Sequence, residues 1–520
     1  MDPGTRFGPV RTASVSLLMA AACLAASAAP PPDFAARVGA ELSSPHLAAG
    51  WTGVLVVSLR DGSTWFSLNE DRRFMPASNL KLIVSATVLD RLGPEFRWRT
   101  RLLARGLSPD GRRAESLVLV GGGDPTLLSA DLGDLARQAA AAGITKVTGG
   151  IEADSSLFDT PPLGSGWAWD YESDYYAART CALAVNRNTV GIRVTPGRRQ
   201  GEPAKAHPLQ SFPGLRVRCS AVTGAAGSPS TVEVHRRRST DEVLVAGSIP
   251  AEESAVEVDV TVEDPARMAG SLLAQCLERE GVQVGGRVVS GRAGEGDRQM
   301  ATHDSPPLEE VLKLLNKPSD NLIAEEILST LGALHSPGKG TLEEGLAEEE
   351  RFLRSLGVAR SDWELADGSG LSRRDQVTPR LLVSVLRHMA AGPKGRLFID
   401  SLPVAGVDGT LKRRMTSGPA QGRVSAKTGT LFKVCALSGY ARTAAGEPLA
   451  FSLLMNHYAG TEAEVRAIQD RIVTLMAAAG EGPADGLPGQ KGPGSASYPP
   501  GGDSVGAAPS RGQPTSQPSR

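Results

Sequence analysis

Apolar and polar positions alternate over residues 51–67, broken by Asp61-Gly62, and this predicts a β-hairpin with its turn at the glycine. Residues 76–92 follow with Leu80, Ile83, Val84, Ala86, Val88 and Leu89 at helical spacing, which predicts a buried helix. An apolar strand over 117–123 ends in Gly-Gly-Gly-Asp-Pro. From there to about residue 300, short strands, turns and helices alternate irregularly, with turns marked by Thr195-Pro196-Gly197 and by residues 211–214. The helical pattern returns at Leu308 in LEEVLKLLNK, NLIAEEILSTLGAL and GLAEEERFLRSLG. Strands are then predicted at 424–427, 436–441 and 450–455, and a closing helix at 461–479. The flanks, residues 30–102 and 300–480, read as two halves of one α/β unit. Between them, residues 103–299 read as a β-rich insertion, expected to divide into two subdomains.

The two ends have a different texture. Arg6 and Arg11, the small apolar residues 13–25 and Ala26-Ser27-Ala28 predict an export signal over residues 1–28, too short in apolar run to span a membrane. Cys23, after three alanines, offers an alternative as a lipid-attachment site. Residues 481–520 hold almost no large apolar side chain and predict a disordered tail. No other window approaches 18 uninterrupted apolar residues, so a mature chain without a transmembrane segment is expected in the periplasm or outside the cell.

Composition narrows the chemistry. A length of 520 residues argues for two to four domains, and 59 Gly with 36 Pro for many turns. Lys plus Arg is 56 against 57 Asp plus Glu, so nothing favours a nucleic-acid partner. None of the five cysteines forms a CxxC pair, so no zinc site or other metal or cofactor is expected. Outside the cytoplasm Cys181, Cys219, Cys276 and Cys435 could form disulfides, in three alternative pairings. The seven histidines, at 46, 207, 235, 303, 335, 388 and 457, are scattered singly, and neither HExxH nor GxSxG occurs. A serine enzyme built from this chain would therefore use lysine as its base.

Three strings meet that demand in order. In Ser78-Asn79-Leu80-Lys81, positions i and i+3 of a helix put a hydroxyl beside an amine, and the alternative is a capping serine with a solvated lysine. Lys81 is useful as a base only if burial or a second cation lowers its pKa. Ser319-Asp320-Asn321 opens the helix NLIAEEIL; Ser319 could cap that helix or relay a proton, with Asn321 holding a substrate peptide group. Lys427-Thr428-Gly429-Thr430 lies on the strand from Val424, where the lysine could hold an anion and supply the second charge that depresses Lys81. Gly429 would let a ligand backbone approach that strand closely.

Together SxxK, SxN and KTG resemble the penicillin-recognising serine enzymes. The interval from Ser78 to Ser319 is far longer than in compact β-lactamases, and the chain is similar to the D-alanyl-D-alanine carboxypeptidase/endopeptidase family with a long insertion, the class C low-molecular-mass penicillin-binding proteins (peptidase family S13). LVGGGDPTL, NKPSDNLIAE, DGSGLSR, PVAGVDGTLKRR and AKTGTL extend the likeness over roughly residues 33–478. The family tends to have a small residue where Phe432-Lys433 stands, a departure at the rim of the site. The resemblance implies a three-layer α/β transpeptidase domain interrupted by the insertion. It implies Ser78 as nucleophile, Lys81 as general base and Ser319 as proton relay to the departing D-alanine. Lys427, Thr428 and Thr430 would bind the terminal carboxylate, and the N–H groups of Ser78 and Thr430 would form the oxyanion hole. Trp167, Asp170 and Tyr175 of WAWDYESDYY, with Arg373, resemble positions lining a side pocket for the stem-peptide diamino acid; the alternative is buried aromatics and a structural ion pair. The implied partners are peptidoglycan stem peptides ending in D-Ala-D-Ala, with β-lactams as covalent inhibitors. An esterase or D-amino-acid peptidase on the same scaffold, or a catalytically idle peptidoglycan-binding protein, are the competing readings.

Overall fold

The structure, a computed structural model, describes residues 29–334 and 340–480. The expected export signal with Cys23, His335 and the expected tail lie outside the described residues.

A five-stranded antiparallel sheet forms the middle layer, in the order Thr64–Leu68, Trp51–Ser58, Pro448–Asn456, Val434–Arg442, Val424–Leu431. Its strands come from both ends of the chain, which is how the two flanks become one unit. The alternation read in the sequence is a division between two cores. Leu55 and Val57 join Ala436, Ala450 and Leu454 beneath the helices Lys81–Leu92, Asn321–Ala333 and Pro379–Ala391. Val54 and Val56 join Leu437, Phe451 and Leu453 beneath Phe34–Leu42 and Glu462–Ala478. With both faces covered by helices, the result is a three-layer α/β arrangement.

The insertion leaves and returns through adjacent strands: Arg99–Arg105 pairs antiparallel with Arg298–Asp304. These two belong to a second five-stranded sheet that also holds Ser116–Val120, Gly150–Asp154 and Arg287–Ser290. Against it pack the helices Ser129–Ala141 and Pro265–Arg279, and smaller sheets occupy residues 189–261. One hydrophobic cluster, from Leu102 to Ala301, runs through the insertion.

Two expectations need correction. The helix read over 76–92 is a 3₁₀ turn, Ala77–Leu80, followed by the α-helix Lys81–Leu92, because Ala77 adopts a positive φ of 47° that an α-helix does not allow. The four described cysteines are free thiols. Cys435 is buried in the central sheet, Cys276 on the helix Pro265–Arg279 and Cys219 at the end of an exposed strand, so apolar packing and separate locations replace pairing.

Candidate active site

Lys81 has no route to solvent. Leu80, Leu82 and Ile83 beside it are fully buried, so the first turn of its helix is enclosed all round and the lysine stem cannot reach water. Its Nζ lies 2.9 Å from Ser78 Oγ, 2.7 Å from Asn321 Oδ1 and 2.7 Å from the Ser369 carbonyl. Burial pulls its pKa from 10.5 down to about 8, against the opposing pull of Asp367, Glu325, Asp320 and Asp375. Lys81 and Asn321 are 240 residues apart, and the long insertion between them loops out and back.

The second lysine is buried as completely. Lys427 Nζ donates to Ser319 Oγ at 2.7 Å and to the Thr428 carbonyl at 3.0 Å. Burial, and secondarily the charge of Lys81, hold it well below the ordinary lysine range. Burial is thus the leading cause for both lysines, and the repulsion between them disfavours their being charged together.

Ser319 does not cap the helix that follows. Asp320 has the extended backbone of a cap and accepts the Ile323 N–H at 3.1 Å, while Ser319, at a φ of 67°, turns toward Lys427. The Val424–Leu431 strand is pressed against the Ser78 turn. Asn79 Nδ2 donates to the Lys427 carbonyl at 3.0 Å, and a Cβ on Gly429 would stand 2.7 Å from the Pro76 carbonyl and 3.1 Å from Ser78 N. Only glycine fits there, and the approach it serves is the chain's own backbone as well as any ligand. Thr428 and Thr410 share a hydroxyl hydrogen bond of 2.7 Å, and Arg466 donates to Thr430 Oγ1 at 3.2 Å.

Ser78, Ser319, Asn321 and Thr430 face a cavity of about 490 Å³, lined also by Phe432, Tyr171, Tyr175, Tyr176 and Tyr458, while Lys81, Lys427, Thr428 and Gly429 lie behind its wall. The strip WAWDYESDYY thus divides. Tyr175 is a wall of the cavity and 64% exposed. Trp167 is not: its Nε1 donates to the Asp367 carboxylate at 2.8 Å, tying the insertion to the loop DGSGLSR. Asp170 is exposed and outside the cavity wall, and Arg373 is exposed, donating to the Phe432 carbonyl at 2.9 Å. Sequence reasoning missed Asn79, although it sits inside the first string. It also missed the carbonyls of Ser369 and of Tyr176, the latter accepting from Asn321 Nδ2 at 2.8 Å.

A buried amine against a hydroxyl, and a second buried cation against another, form a site able to ionise a serine and hold an anionic substrate terminus. Comparison with known proteins agrees in sequence and in fold. The chain is 37% identical over 481 residues to a D-alanyl-D-alanine carboxypeptidase of Actinomadura sp. (strain R39), covering 89% of this chain and 88% of that one. It is 26% identical over 419 residues to the D-alanyl-D-alanine carboxypeptidase DacB of Haemophilus influenzae, covering 79% and 86%. The crystal structure of penicillin binding protein 4 from Haemophilus influenzae superposes with a TM-score of 0.75 at 25% identity, over 84% of this chain and 97% of that one. A sequence profile matches over residues 34–479, and by it the chain belongs to the D-Ala-D-Ala carboxypeptidase 3 (S13) family.

Proposed function

We propose that the chain removes the terminal D-alanine from peptidoglycan stem peptides through an acyl-enzyme on Ser78. The observation that carries this is the Lys81 amine, fully buried and 2.9 Å from the Ser78 hydroxyl. In the neutral form Lys81 takes the Ser78 proton as Oγ attacks the carbonyl of the penultimate D-Ala. The oxyanion falls between the N–H groups of Ser78 and Thr430, a contact worth roughly 2.7–4 kcal/mol per donor. Lys427, Thr428, Thr430 and Gly429 receive the substrate's carboxylate and backbone, and Asn321 its peptide group. Ser319, hydrogen-bonded to Lys427, passes a proton to the leaving amine, and water then releases the acyl group.

Cleavage of D-Ala-linked crosslinks is the same sequence with a larger leaving group, suited to a cleft whose rim residues Tyr175 and Phe432 are 64% and 68% exposed. On this reading Tyr175, with Asp170 and Arg373 near the rim, borders the path of the stem-peptide side chain, and Trp167 shapes it from behind. A β-lactam would acylate Ser78 in place of the peptide; support comes from the similar Haemophilus influenzae protein, whose complex with a β-lactam superposes at a TM-score of 0.69. Such a substrate lies outside the cytoplasm, in keeping with the expected export signal, and no helix among the described residues is long and apolar enough to cross a membrane. The test is D-alanine release from an N-acylated L-Lys-D-Ala-D-Ala peptide. Turnover by the wild type with a loss of at least about 10⁴-fold in Ser78→Ala is expected. Equal turnover in both would assign the nucleophile elsewhere.

A further inference from the structure

Asn321 and Glu325 stand one turn apart on the helix Asn321–Ala333 and reach the same lysine by different routes. Asn321 Oδ1 accepts from Lys81 Nζ directly. Glu325 works through the backbone: its carboxylate accepts the N–H of Ser369 at 2.9 Å and of Gly368 at 3.2 Å, and the Ser369 carbonyl accepts from Lys81 Nζ at 2.7 Å. From its other end the same loop is held by Asp367, whose carboxylate accepts the N–H groups of Gly370 at 2.6 Å and Ser372 at 2.7 Å.

A neutral amine has two N–H bonds and one lone pair. With both hydrogens committed to Asn321 and Ser369, the lone pair of Lys81 is left facing the Ser78 hydroxyl. We propose that Glu325 is a positioning residue for acylation, fixing through Gly368 and Ser369 the carbonyl that aims the Lys81 lone pair at Ser78. The proposal rests on the reading of Ser78 and Lys81 as nucleophile and base.

Glu325 is 4% exposed, so its charge is poorly screened. Burial and Asp367 push its carboxyl up to about 8, while the Ser369 and Gly368 donors pull it down. Glu326, Glu349 and Asp375 also face it. Around Lys81 stand Asp367, Asp320 and Asp375 besides Glu325, with Lys427 on the far side.

The test is the rate of acylation by benzylpenicillin as a function of pH, for the wild type, Glu325→Gln and Glu325→Ala, with thermal melts of each. Glutamine keeps an oxygen for the Ser369 N–H but removes the charge; alanine removes both. Glu325→Ala is expected to lose about tenfold or more in the limiting rate at high pH. Glu325→Gln, which keeps an oxygen to accept the Ser369 N–H, should hold that rate within about threefold, so the amide rescues what alanine loses. A limiting rate retained in Glu325→Ala, or lost as fully in Glu325→Gln as in Glu325→Ala, would overturn the proposal. If Glu325→Ala does not fold, Glu325→Leu, which fills the space without an acceptor, takes its place beside Glu325→Gln. A wild type that is not acylated at all would instead sink the underlying assignment of Ser78.

Discussion

A lysine serves as a base only in its neutral form, and burial is what gives Lys81 that form near neutral pH. With its pKa drawn down to about 8, roughly a tenth of the amine is neutral at pH 7 and half at pH 8. Turnover (kcat/KM) on an acyl-D-Ala-D-Ala peptide is therefore expected to climb nearly tenfold per unit below pH 7 and to level off near pH 9. A profile flat from pH 6 to 9 would contradict Lys81 as the base. The pairing of Ser78 with Lys81 was legible because it rests on side chains three positions apart. The acceptors on Ser369 and Tyr176 were not, since a backbone carbonyl leaves no trace in residue type. Ser319 was legible as a site residue but ambiguous in role. What takes it out of the capping role is its φ of 67°, and Asp320 next to it was equally able to cap.

The elements behind the site carry an electrostatic load. On the helix Leu342–Ser355, Glu349 is fully buried and neither carboxylate oxygen has a hydrogen-bond partner among the described residues. Burial, with Glu325 and Asp367 adding to it, raises its pKa well above 4.5, so the folded protein keeps a proton that the unfolded chain releases. Stability then falls as pH rises from about 4.5 toward the folded-state pKa, by up to about 1.4 kcal/mol per unit. Glu349→Met is expected to be more stable than the wild type at pH 8, with a smaller gain at pH 5; urea denaturation at both values measures it. A variant less stable at pH 8 would show that the carboxyl is satisfied. Helix positions were readable from their apolar period, and so were the central strands, because Val54 and Val56 feed one core and Leu55 and Val57 the other. The break at Ala77 was not readable, because nothing in the residue type of an alanine marks a positive φ.

At the scale of the whole molecule, the insertion closes on itself before the chain resumes the α/β unit. Its first and last strands, Arg99–Arg105 and Arg298–Asp304, are paired, and its hydrophobic cluster lies between Leu102 and Ala301. A fragment of residues 99–304 is expected to fold alone, with a cooperative melt by circular dichroism; a non-cooperative, molten fragment would show that the flanks are needed to form its core. The existence of the insertion could be read from the change in texture and from the long interval between Ser78 and Ser319. Its involvement in the site was implied only by the family resemblance, through Trp167, Asp170 and Tyr175, and the contacts that make it were not legible. Trp167 on Asp367 and the Tyr176 carbonyl on Asn321 are contacts between segments distant in sequence, and only the folded chain brings them together. The cysteines show the reverse case: four of them allowed disulfides on paper, but all four are free thiols, with Cys276 and Cys435 buried in separate elements.

The most direct measurement is the intact mass of the purified protein after incubation with benzylpenicillin, beside Ser78→Ala. One drug mass added stoichiometrically to the wild type and none to Ser78→Ala is the predicted result. An unmodified wild type that is folded by circular dichroism, or a Ser78→Ala protein that still gains the adduct, would contradict Ser78 as the acylated nucleophile.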